Sequence, residues 1–123
     1  MENRKSKMAK RRINSRQKGA AAERELAGIF REYFPGVVRG QQRSGLEQAD
    51  VVGVPGWRVE GKRRQAFSVY ATLEKLLAEL ERGERPLVCA RRDRGDWLAV
   101  VRLADLLPLL RAEWQARLDQ MLE

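Results

Sequence analysis

Two short valine-bearing runs, 49–54 and 57–62, flank the dipeptide Pro55-Gly56, and this pattern reads as an antiparallel β-hairpin. Side chains alternate faces along a strand, so Glu60 and Lys62 share one face while Val59 and Gly61 share the other. Asp50 opens the first strand, and the register decides which face it joins. A strict two-residue loop sets Asp50 opposite Gly61, turned away from Glu60. An odd-length loop or a β-bulge sets Asp50 opposite Lys62 and Val52 opposite Glu60, with all three polar side chains on one face. Bulges are common beside active sites, and we expect this second arrangement.

The flanking segments complete an α/β order. From Lys18 to Phe34 the apolar residues Leu26, Ile29, Phe30 and Tyr33 recur at helical spacing, and Pro35-Gly36 stops the run. A short strand is expected at 37–39, then a polar loop from Gly40 to Gln48. Ser68 can cap a second helix carrying Val69, Leu73, Leu76, Leu77 and Leu80 and ending at Gly83. Segments 86–91 and 97–102 read as strands around Asp93-Arg94-Gly95, and the remainder to Glu123 as helix, bent or restarted near Pro108. The expected order is α-β-β-β-α-β-β-α, a mixed sheet flanked by helices in one domain spanning 18–123.

Charge narrows the partners. Residues 1–18 hold eight of the 25 basic residues and, in Glu2, one of the 17 acidic ones, so seven of the eight net positive charges lie there. Residues 1–17 lack apolar periodicity and read as a flexible basic arm offering salt-sensitive attraction to phosphates, which leaves discrimination to a nearly neutral body. With Cys89 alone and no histidine, an intramolecular disulfide, Cys/His zinc sites and histidine-based acid–base chemistry are excluded. No apolar run approaches a membrane span and no secretory leader is evident, so the cytoplasm is the expected compartment.

A glutamate and a lysine two apart on a strand are usually a solvated face. Asp50 on the neighbouring strand changes the reading, and Glu23, at the edge of the first helix's buried stripe, adds a third acid. Glu23 reads equally as a first-turn glutamate favoured by the helix dipole. Glu25 falls away from the stripe, and Glu47 is a weaker competitor on the loop. Phosphodiester hydrolysis needs an activated water and neutralised phosphoryl oxygens. Carboxylates hold a hard cation such as Mg²⁺ for that purpose, and a lysine alongside can orient the water or offset phosphate charge. Gly61 would let its carbonyl approach such a metal unhindered.

Four stretches, Lys18-Gly19-Ala20-Ala21-Ala22-Glu23-Arg24-Glu25-Leu26-Ala27, Arg39-Gly40-Gln41-Gln42-Arg43-Ser44-Gly45, Ala49-Asp50-Val51-Val52-Gly53-Val54-Pro55-Gly56 and Val59-Glu60-Gly61-Lys62-Arg63, resemble the PD-(D/E)XK nuclease superfamily. Within it they are similar to Holliday junction resolvases of archaeal type, especially small phage-encoded members. Segments 67–73 and 91–98 extend the likeness over roughly residues 18–110. The resemblance implies a restriction-endonuclease-like core and a homodimer that cuts symmetrically related strands of a four-way DNA junction. It implies metal binding by Glu23, Asp50 and Glu60, with Mn²⁺ able to replace Mg²⁺, and a catalytic Lys62. Ser44 matches an assisting serine and reads equally as a loop residue. Lys75 stands where such nucleases often carry a glutamine on the second helix. Lys18, Arg39, Arg43, Arg63, Arg64, Arg91, Arg92 and Arg94 are candidate phosphate contacts, each of which can equally be an ordinary surface charge. Trp57, Trp97 and Trp114 are expected in the core or a dimer interface, and the leucine-rich 103–122 segment also suits an interface. Two further readings stand beside the resolvase: a nicking or repair nuclease of the same fold, and a DNA- or RNA-binding protein without activity.

Overall fold

In the computed structural model the described residues are 19–40, 49–63 and 66–123, together with the backbone of 42–43 and 46–47. The expected basic arm, Lys18, Ser44, Arg64 and the side chains of Arg43 and Glu47 lie outside them. Helix α1 covers 19–31, followed by strands β1 (Val38–Arg39), β2 (Gln42–Arg43), β3 (Leu46–Glu47), β4 (Val51–Val52) and β5 (Trp57–Arg63). Helix α2 (Val69–Glu79), strands β6 (Arg85–Arg91) and β7 (Leu98–Val100), and helix α3 (Leu103–Met121) complete the chain. The architecture is α/β, with a five-stranded mixed sheet in the order β1-β4-β5-β6-β7. Neighbours run antiparallel except β5 and β6, which are parallel and joined through α2. Parallel neighbours need such a crossover.

Several boundaries differ from expectation. The segment read as a polar loop contains the small antiparallel pair β2–β3, a hairpin without the long apolar alternation by which strands are recognised. Helix α1 ends three residues before Phe34, leaving Tyr33 exposed, whereas Ala22 and Ala27 are buried. Ser68 caps α2 as expected, its Oγ accepting from the Ala71 N–H at 3.2 Å, but the helix ends at Glu79 and Gly83 turns the chain beyond it. Helix α3 runs unbroken through Pro108 instead of restarting there.

The core joins Leu26 and Ala27 of α1 to Val37, Val51, Val54, Val59 and Cys89, with Phe30, Trp57, Leu87 and Trp97 packed against it. On β6 both Val88 and Cys89, which point to opposite faces, are buried. The central strands are thus covered on two sides, as parallel pairs require. Helix α2 lies along β6 and buries Leu76, while Val69 and Leu77 remain partly exposed.

The hairpin register is the feature that positions the polar residues. The Trp57 N–H donates to the Val54 carbonyl at 3.2 Å, closing a two-residue Pro55-Gly56 turn with Gly56 at φ +80°. Further along, Val51 pairs with Val59, which requires one extra residue on the β4 side. Gly53, at φ +105°, falls in that short stretch, and an added Cβ there would lie 3.1 Å from the Gly36 carbonyl oxygen. The expected irregularity is present, but on the first strand instead of the second. The Asp50 N–H donates to the Val59 carbonyl at 3.1 Å, so Asp50 sits at the irregularity and does not take the expected place opposite Lys62.

Candidate functional site

Asp50 is only 6% exposed and its backbone is held on both sides. Its N–H donates to the Val59 carbonyl at 3.1 Å, and its own carbonyl accepts from the Gly40 N–H at 2.9 Å. Gly40 must be glycine: a Cβ there would sit 1.7 Å from the Ala49 carbonyl oxygen. The Asp50 carboxylate is aimed by the Gly61 N–H, which donates to Oδ2 at 2.9 Å. Gly61 thus enters the site through its N–H, whereas sequence reasoning assigned the role to its carbonyl.

Burial pushes the Asp50 carboxyl up from its usual value of 3.8 to about 7, and the Glu60 charge adds to the rise. The Gly61 N–H opposes it, and Glu23 and a hydrogen bond with Glu60 reinforce it. Glu60 and Lys62 are mostly buried and form an ion pair at 3.6 Å. Glu23, at the far side, accepts from Arg39 Nε at 2.8 Å. The four residues expected to act together are therefore neighbours in charge as well as in sequence pattern. Among the described residues, however, no three acidic, histidine or cysteine side chains close into a ready cation cage. Asp50 and Glu60 form the acid pair, and Glu23 contributes its field from beside them.

Such a pair fits a hard divalent cation. The donors are all oxygen, and two carboxyl groups sharing a low-dielectric site favour a proton or cation between them. Cys89 does not compete as a nucleophile, because burial raises its thiol pKa to about 11.

Two polar clusters escaped the sequence reading. Glu25 accepts from Arg91 and from Trp97 Nε1, the latter at 2.8 Å, tying α1 to the β6–β7 hairpin. Nothing local signals this, since the partners lie 66 and 72 residues away. Arg58, 8% exposed, lies 3.8 Å from both Glu79 and Glu84. The end of α2 and the following turn cover it.

The candidate phosphate-binding arginines divide. Arg39 and Arg91 are engaged with α1, Arg63 lies 3.6 Å from Asp93, and Arg92 and Arg94 are exposed. Arg91 and Arg92 also line a cavity of about 610 Å³ with Phe67, Asp96 and Leu98. The cavity lies near the C-terminal ends of the parallel strands, where Ala90 of its lining pairs with Lys62. Crevices at that end of a parallel pair are habitual ligand sites in α/β sheets.

Neither protein-family models, nor curated proteins, nor solved structures contain a match to this chain. Among the described residues no helix is long and apolar enough to cross a membrane.

Proposed function

We propose that this protein is a metal-dependent DNA endonuclease with a PD-(D/E)XK-type site, acting on four-way junctions as a homodimer. The observation that carries the reading is the buried Asp50 carboxyl beside Glu60, with Lys62 paired to Glu60 and Glu23 close enough to raise the Asp50 pKa. Asp50 and Glu60 would hold Mg²⁺, or Mn²⁺ in its place, with Glu23 supporting. When bound, such a cation supplies Lewis acidity and an activated water.

The chain's own residues do the rest. The Gly61 N–H fixes the Asp50 carboxylate. Lys62, held by Glu60, offsets charge on the phosphate or orients the attacking water. Arg92 and Arg94, exposed just beyond the end of β6 that pairs with Lys62 and Arg63, take flanking phosphates. The basic segment before residue 18 adds non-specific attraction.

The ion pairs already made by Glu23 and Glu60 favour a second reading, a DNA-binding protein of the same fold that does not cleave. Incubation with synthetic four-way junctions, linear duplex and single strands, in Mg²⁺ or EDTA, separates the readings. Symmetric junction cuts lost in EDTA support the resolvase. Comparable cutting of plain duplex points to a nicking or repair enzyme, and binding without cleavage supports the second reading.

A further inference from the structure

Helix α3 is the largest element of the molecule and the least explained by it. None of its 19 residues is buried. Leu103, Leu107, Leu109, Leu110, Trp114 and Met121, with Leu122 just beyond, are 44–87% exposed. An isolated helix of this length is marginal in water, and an interior proline costs about 3 kcal/mol more. Pro108 lies inside α3, so its stability calls for a packing partner.

The pattern of the exposed residues describes that partner. Leu103, Leu107, Leu110, Trp114 and Met121 are spaced by four, three, four and seven, the rhythm of a coiled-coil seam, with Arg117 in the skipped position. Together with Leu109 and Leu122 they expose on the order of 800 Å² of apolar side chain, about what each partner brings to a standard-sized interface. Segment 1–17 has little apolar surface to offer such a face, Met1, Met8 and Ile13 being its only large apolar residues. An anionic bilayer is a poor fit, because Asp105, Glu113 and Asp119 outnumber Arg111 and Arg117 on α3.

We propose that α3 is a self-association helix, packing antiparallel against α3 of a second copy of this chain. A parallel pair would set Arg117 against Arg117 in the seam. An antiparallel pair centred near Ala112 sets Leu103 beside Met121, Leu110 beside Trp114, and Arg117 beside Leu107. There the Arg117 head group stays in solvent with Glu113, its neighbour at 2.7 Å. This goes beyond the homodimer of the nuclease reading by naming the surface, and it does not rest on any DNA chemistry.

Sedimentation equilibrium of the full chain, with no DNA or divalent cation present, tests the interface separately from that reading. The wild type should be a dimer at concentrations on the order of 10 µM. Leu110→Glu and Trp114→Glu should each weaken association by roughly a hundredfold or more. Arg117→Leu should tighten it by about tenfold, a gain that misfolding cannot mimic. A monomeric wild type, a dimer indifferent to both glutamate variants, or an Arg117→Leu variant that dissociates more readily would overturn the proposal. So would a wild-type monomer that binds vesicles of anionic phospholipid.

Discussion

Asp50 and Arg58 are the two buried polar or charged residues among those described, and they sit in opposite electrostatic settings. Arg58 lies between Glu79 and Glu84, so its charge is met by two opposite ones. Asp50 lies among like charges, beside Glu60 and within reach of Glu23, and its carboxyl is pushed up to about 7. A compensated buried charge fastens elements together: Arg58 ties β5 to the end of α2. A buried carboxyl whose pKa is raised by burial and by neighbouring acids is the kind of group that functional sites use. The contrast separates a structural polar site from a candidate functional one without reference to any relative.

The comparison breaks most visibly at the level of cleavage. On the proposed nuclease reading, Asp50→Asn and Glu60→Gln should each reduce junction cleavage by about a thousandfold or more, because each would remove a carboxylate proposed to hold the cation. Junction binding, measured by gel shift, should change little. Loss of binding in parallel with activity would show that these residues organise the DNA surface instead.

The next effect is on stability against pH in metal-free protein. The folded Asp50 pKa of about 7 lies above its ordinary 3.8, so the folded state holds the proton more tightly than the unfolded one. Stability should therefore fall as pH rises from about 4 to about 7, by on the order of 1 kcal/mol per unit, and level off above that. Urea midpoints across that range read it directly. Asp50→Asn should lack this decline and exceed the wild type in stability above pH 7. Mg²⁺ should flatten the wild-type profile and leave the variant unmoved.

Arg58→Ala should cost about 2–3 kcal/mol, because it removes the buried guanidinium that both Glu79 and Glu84 approach. Cleavage per folded molecule should be unchanged; a large activity loss would erase the distinction between the two sites. Smallest is Glu25→Gln, at about 1 kcal/mol or less. The Glu25 side chain is 40% exposed where it meets Arg91, and a partly solvated pair is worth little. A chemical-denaturation midpoint that moves further would show that the α1 clamp on β6–β7 carries more of the fold than its exposure implies.

Much of the local structure is legible in the chain because its causes are local. Pro55-Gly56 makes its turn whatever surrounds it, Ser68 caps the helix that follows it, and alternation along β5 places Glu60 and Lys62 together. Even the irregular register was readable as a requirement. Its location was not: the extra residue falls before the turn, near Gly53, where β4 approaches the Gly36–Val37 backbone, a contact between segments that no spacing rule reports.

The same limit applies to Glu25, read as a solvent-facing residue until Arg91 and Trp97 are folded onto it, and to Arg58, covered only once α2 has packed. The sequence by itself determined the order of the main-sheet strands and helices, though not the β2–β3 pair, and the residues able to meet at the acid pair. Tertiary structure alone decided how Asp50 meets β5, which arginines are spent on structure, and that α3 emerges with its leucines uncovered. Those outcomes depend on burial and on charges brought together from distant parts of the chain, quantities that exist only after the chain has closed on itself.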